Sequence, residues 1–120
     1  VIDGNLFEEN DSLDAGLYDG MHITDTIGTV ISRNICLDND RWGIRIDGMG
    51  QDGVKVSLNY TDGNTAGDII IFNNNCRNTQ VEWNTVEGGT ISDGGTNTRS
   101  YGNYDPSANA FVGNVGVAPF

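Results

Sequence analysis

One lysine, Lys55, two prolines and two cysteines are all that these 120 residues hold of those types. Basic residues are scarce throughout: six Lys and Arg stand against 17 Asp and Glu, for a net charge of −11. This balance argues against nucleic-acid partners, because phosphate backbones are bound by clustered Lys and Arg. It argues equally against docking on anionic membranes. No apolar run is long enough to span a bilayer, and no signal peptide is visible. The chain opens on Val1 with no Met, which reads as a mature or excised piece. Two cysteines do not make a small disulfide framework. No segment carries a helical pattern long enough to bury a face.

What is abundant is Gly, with 17 copies, together with Asn and Asp, residues of turns and of left-handed backbone. Asp outnumbers Glu thirteen to four. Such acidity has three readings: solubility, adaptation to high salt, or binding of a divalent cation by hard oxygen ligands. Sequons at Asn10-Asp-Ser12 and Asn59-Tyr-Thr61 are compatible with export and an extracellular or surface location.

The chain repeats itself, and repeats of this length signal stacked architectures. Val1-Ile2, Val30-Ile31 and Ile70-Ile71 align, followed by Asn5, Asn34 and Asn74, and then by Phe7, Cys36 and Cys76. A second register follows in Gly20–Ile23, Trp42–Ile46 and Gln80–Trp83. Thr90-Ile-Ser92 opens a fourth unit like Val30-Ile-Ser32. The units are short strands of period two joined by tight turns, with insertions at 11–18 and 47–67. One such unit cannot bury its apolar residues alone, whereas stacked units can. Matched positions then form ladders, with Ile23, Ile46 and Trp83 in the core and Asn side chains bonding from coil to coil at left-handed corners. Cys36 and Cys76, one rung apart, are buried thiols or a disulfide.

The pattern carried by VISRNICLDNDRWGIRI and its partners resembles the right-handed parallel β-helix repeat of the pectate-lyase-like superfamily over residues 1 to about 103. The resemblance implies an all-β solenoid of about four rungs. Residues 104–120 form a C-terminal cap that lays Phe111, Val112 and Val115 over the last rung. Nothing comparable covers the first rung, so upstream coils or an oligomer partner are expected there.

It also implies a polysaccharide lyase, hydrolase or epimerase acting on acidic polymers, or else a non-catalytic structural or adhesive module. In register, His22, Arg45 and Glu82 form an outward row: an acid–base group, a carboxylate clamp and a carboxylate. The ordinary alternative for this row is a solvated charge ladder. Lyases of the superfamily bind calcium through acidic residues and use a basic residue to take a proton, roles open to Asp38 and Asp40 with Arg41 or Arg45. Tyr18-Asp-Gly-Met-His22 is similar in part to strands of pectin hydrolases and alginate epimerases. Arg41, Trp42, Tyr18 and Tyr60 are candidates for contacting sugar, while Trp83 reads as core. Calcium is the candidate cofactor. Asp47-Gly-Met-Gly-Gln-Asp-Gly-Val-Lys55 fits the nonapeptide G-G-x-G-x-D-x-U-x except at its first residue. Asp47, Asp52, Asp62 and Asp68 are the corresponding candidate ligands.

Overall fold

The computed structural model describes residues 1–10 and 18–113. It is an all-β parallel solenoid, with no helix among the described residues. The strands follow the chain in threes. They are β1 (Ile2–Asp3), β2 (Leu6–Glu8) and β3 (Met21–Thr24), then β4 (Val30–Ser32), β5 (Ile35–Leu37) and β6 (Trp42–Asp47). Next come β7 (Lys55–Ser57), β8 (Tyr60–Asp62) and β9 (Gly67–Ile71), then β10 (Gln80–Glu82), β11 (Thr85–Val86) and β12 (Ile91–Asp93). The stack ends with β13 (Arg99–Tyr101), β14 (Tyr104–Asp105) and β15 (Ala110–Phe111).

Every third strand joins the same sheet. The first sheet runs β1-β4-β7-β10-β13, the second β2-β5-β8-β11-β14 with β15 added, and the third β3-β6-β9-β12. From β3 to β12 the chain makes about three turns, slightly fewer than the four rungs expected. All pairings between coils are parallel, and only β15 runs antiparallel, against β14. A three-residue strand points one side chain inward, so the core is a set of narrow columns. One is Ile31–Val56–Val81, another is Ile44–Ile69 beside Ile46–Ile71, and all are buried. Burying each such side chain contributes roughly 1.5–3 kcal/mol.

The corners are set by backbone handedness. Gly4, Arg33, Leu58, Trp83 and Gly102 stack at the end of the first sheet, all left-handed with φ of 70°, 52°, 59°, 57° and 68°. The asparagine follows this residue and does not occupy the left-handed position, contrary to expectation. It faces inward instead, freeing its amide to bond along the stack. Asn5, Asn34, Asn59, Asn84 and Asn103 form one continuous ladder. In each of its four steps the backbone N–H and the Nδ2 of one asparagine donate to Oδ1 of the next, at 2.9–3.1 Å. Each inner Nδ2 also donates back to a carbonyl of the preceding coil: Asn34 to Ile2, Asn59 to Ile31, Asn84 to Val56 and Asn103 to Val81, at 2.9–3.0 Å. A second ladder of the same kind joins Asn10, Asn39 and Asn64.

These ladders correct the register read from the sequence. Residues 47–67 are not an insertion but most of a full coil, containing β7 and β8. Val30 pairs with Lys55, not with Ile70, which lies beside Arg45 in the third sheet. Gln80–Glu82 belongs to the first sheet, and Ile91–Asp93 to the third. Asn59 takes the place expected of Asn74, and Asn64 that expected of Asn78. Thr61 stacks on Cys36 where Cys76 was expected. Cys76 sits in another column with its Sγ 3.6 Å from the Ile46 carbonyl, so both thiols are free and buried. Burial alone pushes the Cys36 thiol up to about 12. Trp83 is 39 % exposed at a corner and is not core. Ile71 occupies its expected place above Ile46.

Of the C-terminal cap, Tyr104–Asp105 still stacks on β11. Ala110–Phe111 folds back on it, and Val112 packs on the core. Val115 and the rest of 114–120 lie outside the described residues, as does the expected insertion at 11–18 apart from Tyr18.

Asn59→Ala removes a buried acceptor for the N–H and Nδ2 of Asn34 and a donor to Ile31 and Asn84. We expect a loss of about 3–5 kcal/mol. Asn5→Ala, at the exposed end with a single ladder neighbour, should cost about 1 kcal/mol. Urea unfolding of the two variants measures both, and equal losses would show that the ladder does not hold the stack.

Candidate functional site

The third sheet builds the most chemically varied outer face. Gly43 and Ile44 in β6 are both buried, which breaks strict alternation. Trp42 and Arg45, three residues apart, are both half-buried. His22 pairs in register with Arg45, and Arg45 with Ile70. Two members of the expected row thus adjoin, and the third does not. Glu82 lies on the first sheet beside Ser57, bonded to Lys55 and to the Tyr101 hydroxyl. The row ends at Arg45, because Ile70 and not Glu82 follows it in the third sheet.

Asp47 organises this face. Its Oδ2 receives the Arg45 Nη2 at 2.7 Å and faces His22 Nε2 at 3.5 Å. Its Oδ1 accepts from the Gly48 N–H at 2.6 Å and from Asn73 Nδ2 at 3.1 Å. Burial pushes the Asp47 carboxyl up, but Arg45, the Gly48 N–H and His22 together outweigh it and hold the group below the usual carboxylate range. Arg45 also lies 4.1 Å over the ring of Phe72, a cation–π contact that adds a second partner to its guanidinium. Arg41 is held similarly, with Nε and Nη2 on the two oxygens of the buried Asp19 at 2.9 and 2.5 Å.

Trp42 is half-buried and positioned by a glycine one coil away. Gly67 pairs with Trp42 in the ladder, and a Cβ there would lie 2.5 Å from Trp42 Cζ3 and 3.0 Å from Thr90 Cγ2. With φ at 145°, Gly67 also holds a backbone that other residues rarely adopt. The indole therefore reaches across the coil boundary and rests on bare backbone. Beside it opens a groove of about 310 Å³ lined by Asp62, Asn64, Gly67, Asp68, Glu87 and Thr90. Asp68 is buried, which raises its carboxyl against the pull of the Thr90 N–H bonded at 3.1 Å. Tyr60 is half-buried, and its hydroxyl is raised by burial and by Asp62 and Glu87.

Among the described residues no group of three or more His, Cys, Asp or Glu is gathered as a metal centre would need. The four candidate aspartates do not share one site. Asp47 serves Arg45, Asp52 accepts from Asn78 Nδ2 at 2.9 Å, and Asp62 and Asp68 line the groove. Of the candidate sugar contacts, Trp42 does not line the groove but lies against Gly67, which does; Tyr60 is influenced by Asp62 and Glu87, and Tyr18 is exposed beside the Arg41 backbone. Sequence reasoning missed Asp19, Phe72, Glu87 and Gly67. The coil period offered a signal for two of them, since Gly67 and Phe72 lie 25 residues after Trp42 and Asp47.

No family model matches the chain, and neither the curated proteins nor the solved structures compared with it give a match.

The Asp47 network makes a prediction about acid. Its carboxyl is depressed in the fold, so its contribution is complete above the unfolded value, near 3.8, and is lost as pH falls through the lower folded value. Wild type should exceed Asp47→Asn by about 1–3 kcal/mol at neutral pH and by little near pH 2. Chemical denaturation at the two pH values measures this, and a gap that persists in acid would reject it.

Proposed function

We propose that this chain is an extracellular carbohydrate-binding β-solenoid of the pectate-lyase-like kind, with a polysaccharide lying across the third sheet. The observation that carries the reading is the Trp42 indole resting on Gly67 at the edge of the acidic groove. A flat aromatic ring offers stacking area to the C–H face of a sugar, and neighbouring carboxylates and amides accept or donate to its hydroxyls. A ring already held by its neighbours loses little freedom on binding.

Binding is favoured over turnover because Arg45 and His22 both face Asp47 and Glu82 lies on another sheet. The ligand class that fits is an uncharged glycan. A uronate polymer would meet Asp62, Asp68 and Glu87 in the groove, with Arg41 and Arg45 already occupied by carboxylates.

Titration calorimetry with xylan, a soluble β-glucan, polygalacturonate and alginate tests the proposal. We expect binding to a neutral polymer, weakened at least tenfold by Trp42→Ala and also by Gly67→Ala, which moves the ring without removing it. Binding confined to the two uronate polymers would overturn the ligand class. No binding to any of the four, or equal affinity in both variants, would overturn the site.

A further inference from the structure

The Trp-on-glycine arrangement occurs twice. At the corner after the first sheet, a Cβ on Gly102 would lie 2.4 Å from Trp83 Cε3 and 2.6 Å from Cζ3. The Trp83 indole therefore lies on the bare backbone of the following coil, as Trp42 lies on Gly67. Its edge meets Tyr101, with centroids 5.7 Å apart and planes at 86°. Tyr101 donates to Glu82, whose other oxygen holds Lys55, so a hydrogen-bonding cluster borders the plate.

Trp83 is also placed against its own conformational preference. Its φ is 57° in a column where two of the five residues, Gly4 and Gly102, are the glycines such a backbone favours. Leu58, beside it in that column, is likewise left-handed and 57 % exposed. A bulky apolar side chain there gains neither a relaxed backbone nor full burial. Strain kept at an exposed position points to a demand from outside the fold.

We infer that Trp83, with Tyr101, Lys55 and Glu82 at its border, is a second glycan-binding platform for the same class of uncharged polymer. This rests on the carbohydrate reading of the Trp42 face. The two platforms stand on different sheets, so one molecule grips two polymer segments and links chains together.

Trp42 and Trp83 are the only tryptophans, so Trp42→Phe and Trp83→Phe each leave a single fluorescent reporter. Each variant is titrated with xylan and with the soluble β-glucan, following emission and quenching by acrylamide. Saturable protection of Trp83 in Trp42→Phe is the expected result. A response from Trp42 alone would overturn the second platform and leave the first standing. A response from Trp83 alone would support a platform there but overturn both the Trp42 reading and the bridging role, and silence from both would remove both. Beads coated with the responding polymer should be agglutinated by wild type and not by Trp83→Ala. Should that variant fail to fold, the fluorescence of Trp42→Phe decides the matter; agglutination undiminished in a folded Trp83→Ala would reject the bridging role.

Discussion

The fold depends on amide groups stacked inside it. A coil contributes one inward apolar side chain from a three-residue strand and two from a longer strand of the third sheet, too little apolar surface to order its backbone alone. What aligns one coil on the next is the column Asn5–Asn34–Asn59–Asn84–Asn103, buried from Asn34 onward, in which each side chain bonds to its neighbours along the stack. A polar group buried in this way would be costly if unpaired and is stabilising when fully bonded. The aliphatic columns add driving force, and the asparagines add register. A shift of one residue would leave every amide facing the wrong atoms.

That precision is what makes the outer face useful. Trp42 reaches Gly67 only because the two residues are held opposite one another in adjacent coils, and Asp47 gathers Arg45, His22 and Asn73 from three successive turns. Apart from the Arg45–Asp47 pair within β6, these contacts join different coils. The electrostatic pattern follows from the same stacking. Arg33, Arg41 and Lys55 each meet an acid from a neighbouring turn.

The fold class was legible in the sequence because alternating short strands and recurring Asn leave few architectures open. The register was legible for the first two coils and then failed at Ile69-Ile70-Ile71. That apolar run looks like the start of a coil, whereas Lys55-Val-Ser57, the true counterpart of Val30-Ile-Ser32, shows only one inward residue, Val56. The cluster Asn73-Asn74-Asn75 reinforced the error by offering an asparagine at the wanted distance. The candidate site shared this fate. His22 and Arg45, within the correct register, are neighbours, and Glu82, beyond it, is not. Trp42 was visible as a candidate, but its support was not, because the importance of Gly67 lies in which coil it belongs to.

The asparagine ladder also has a direction. Each backbone N–H in it is tied to a side chain one turn further on, so the bond opens only when that next coil shifts. Exchange of these amides with solvent is thereby coupled along the axis and cannot proceed residue by residue. An inner coil, with a neighbour on each side, releases its protons only when an adjoining coil moves with it. The stack accordingly loosens coil by coil along its axis rather than as a sphere melting from its surface.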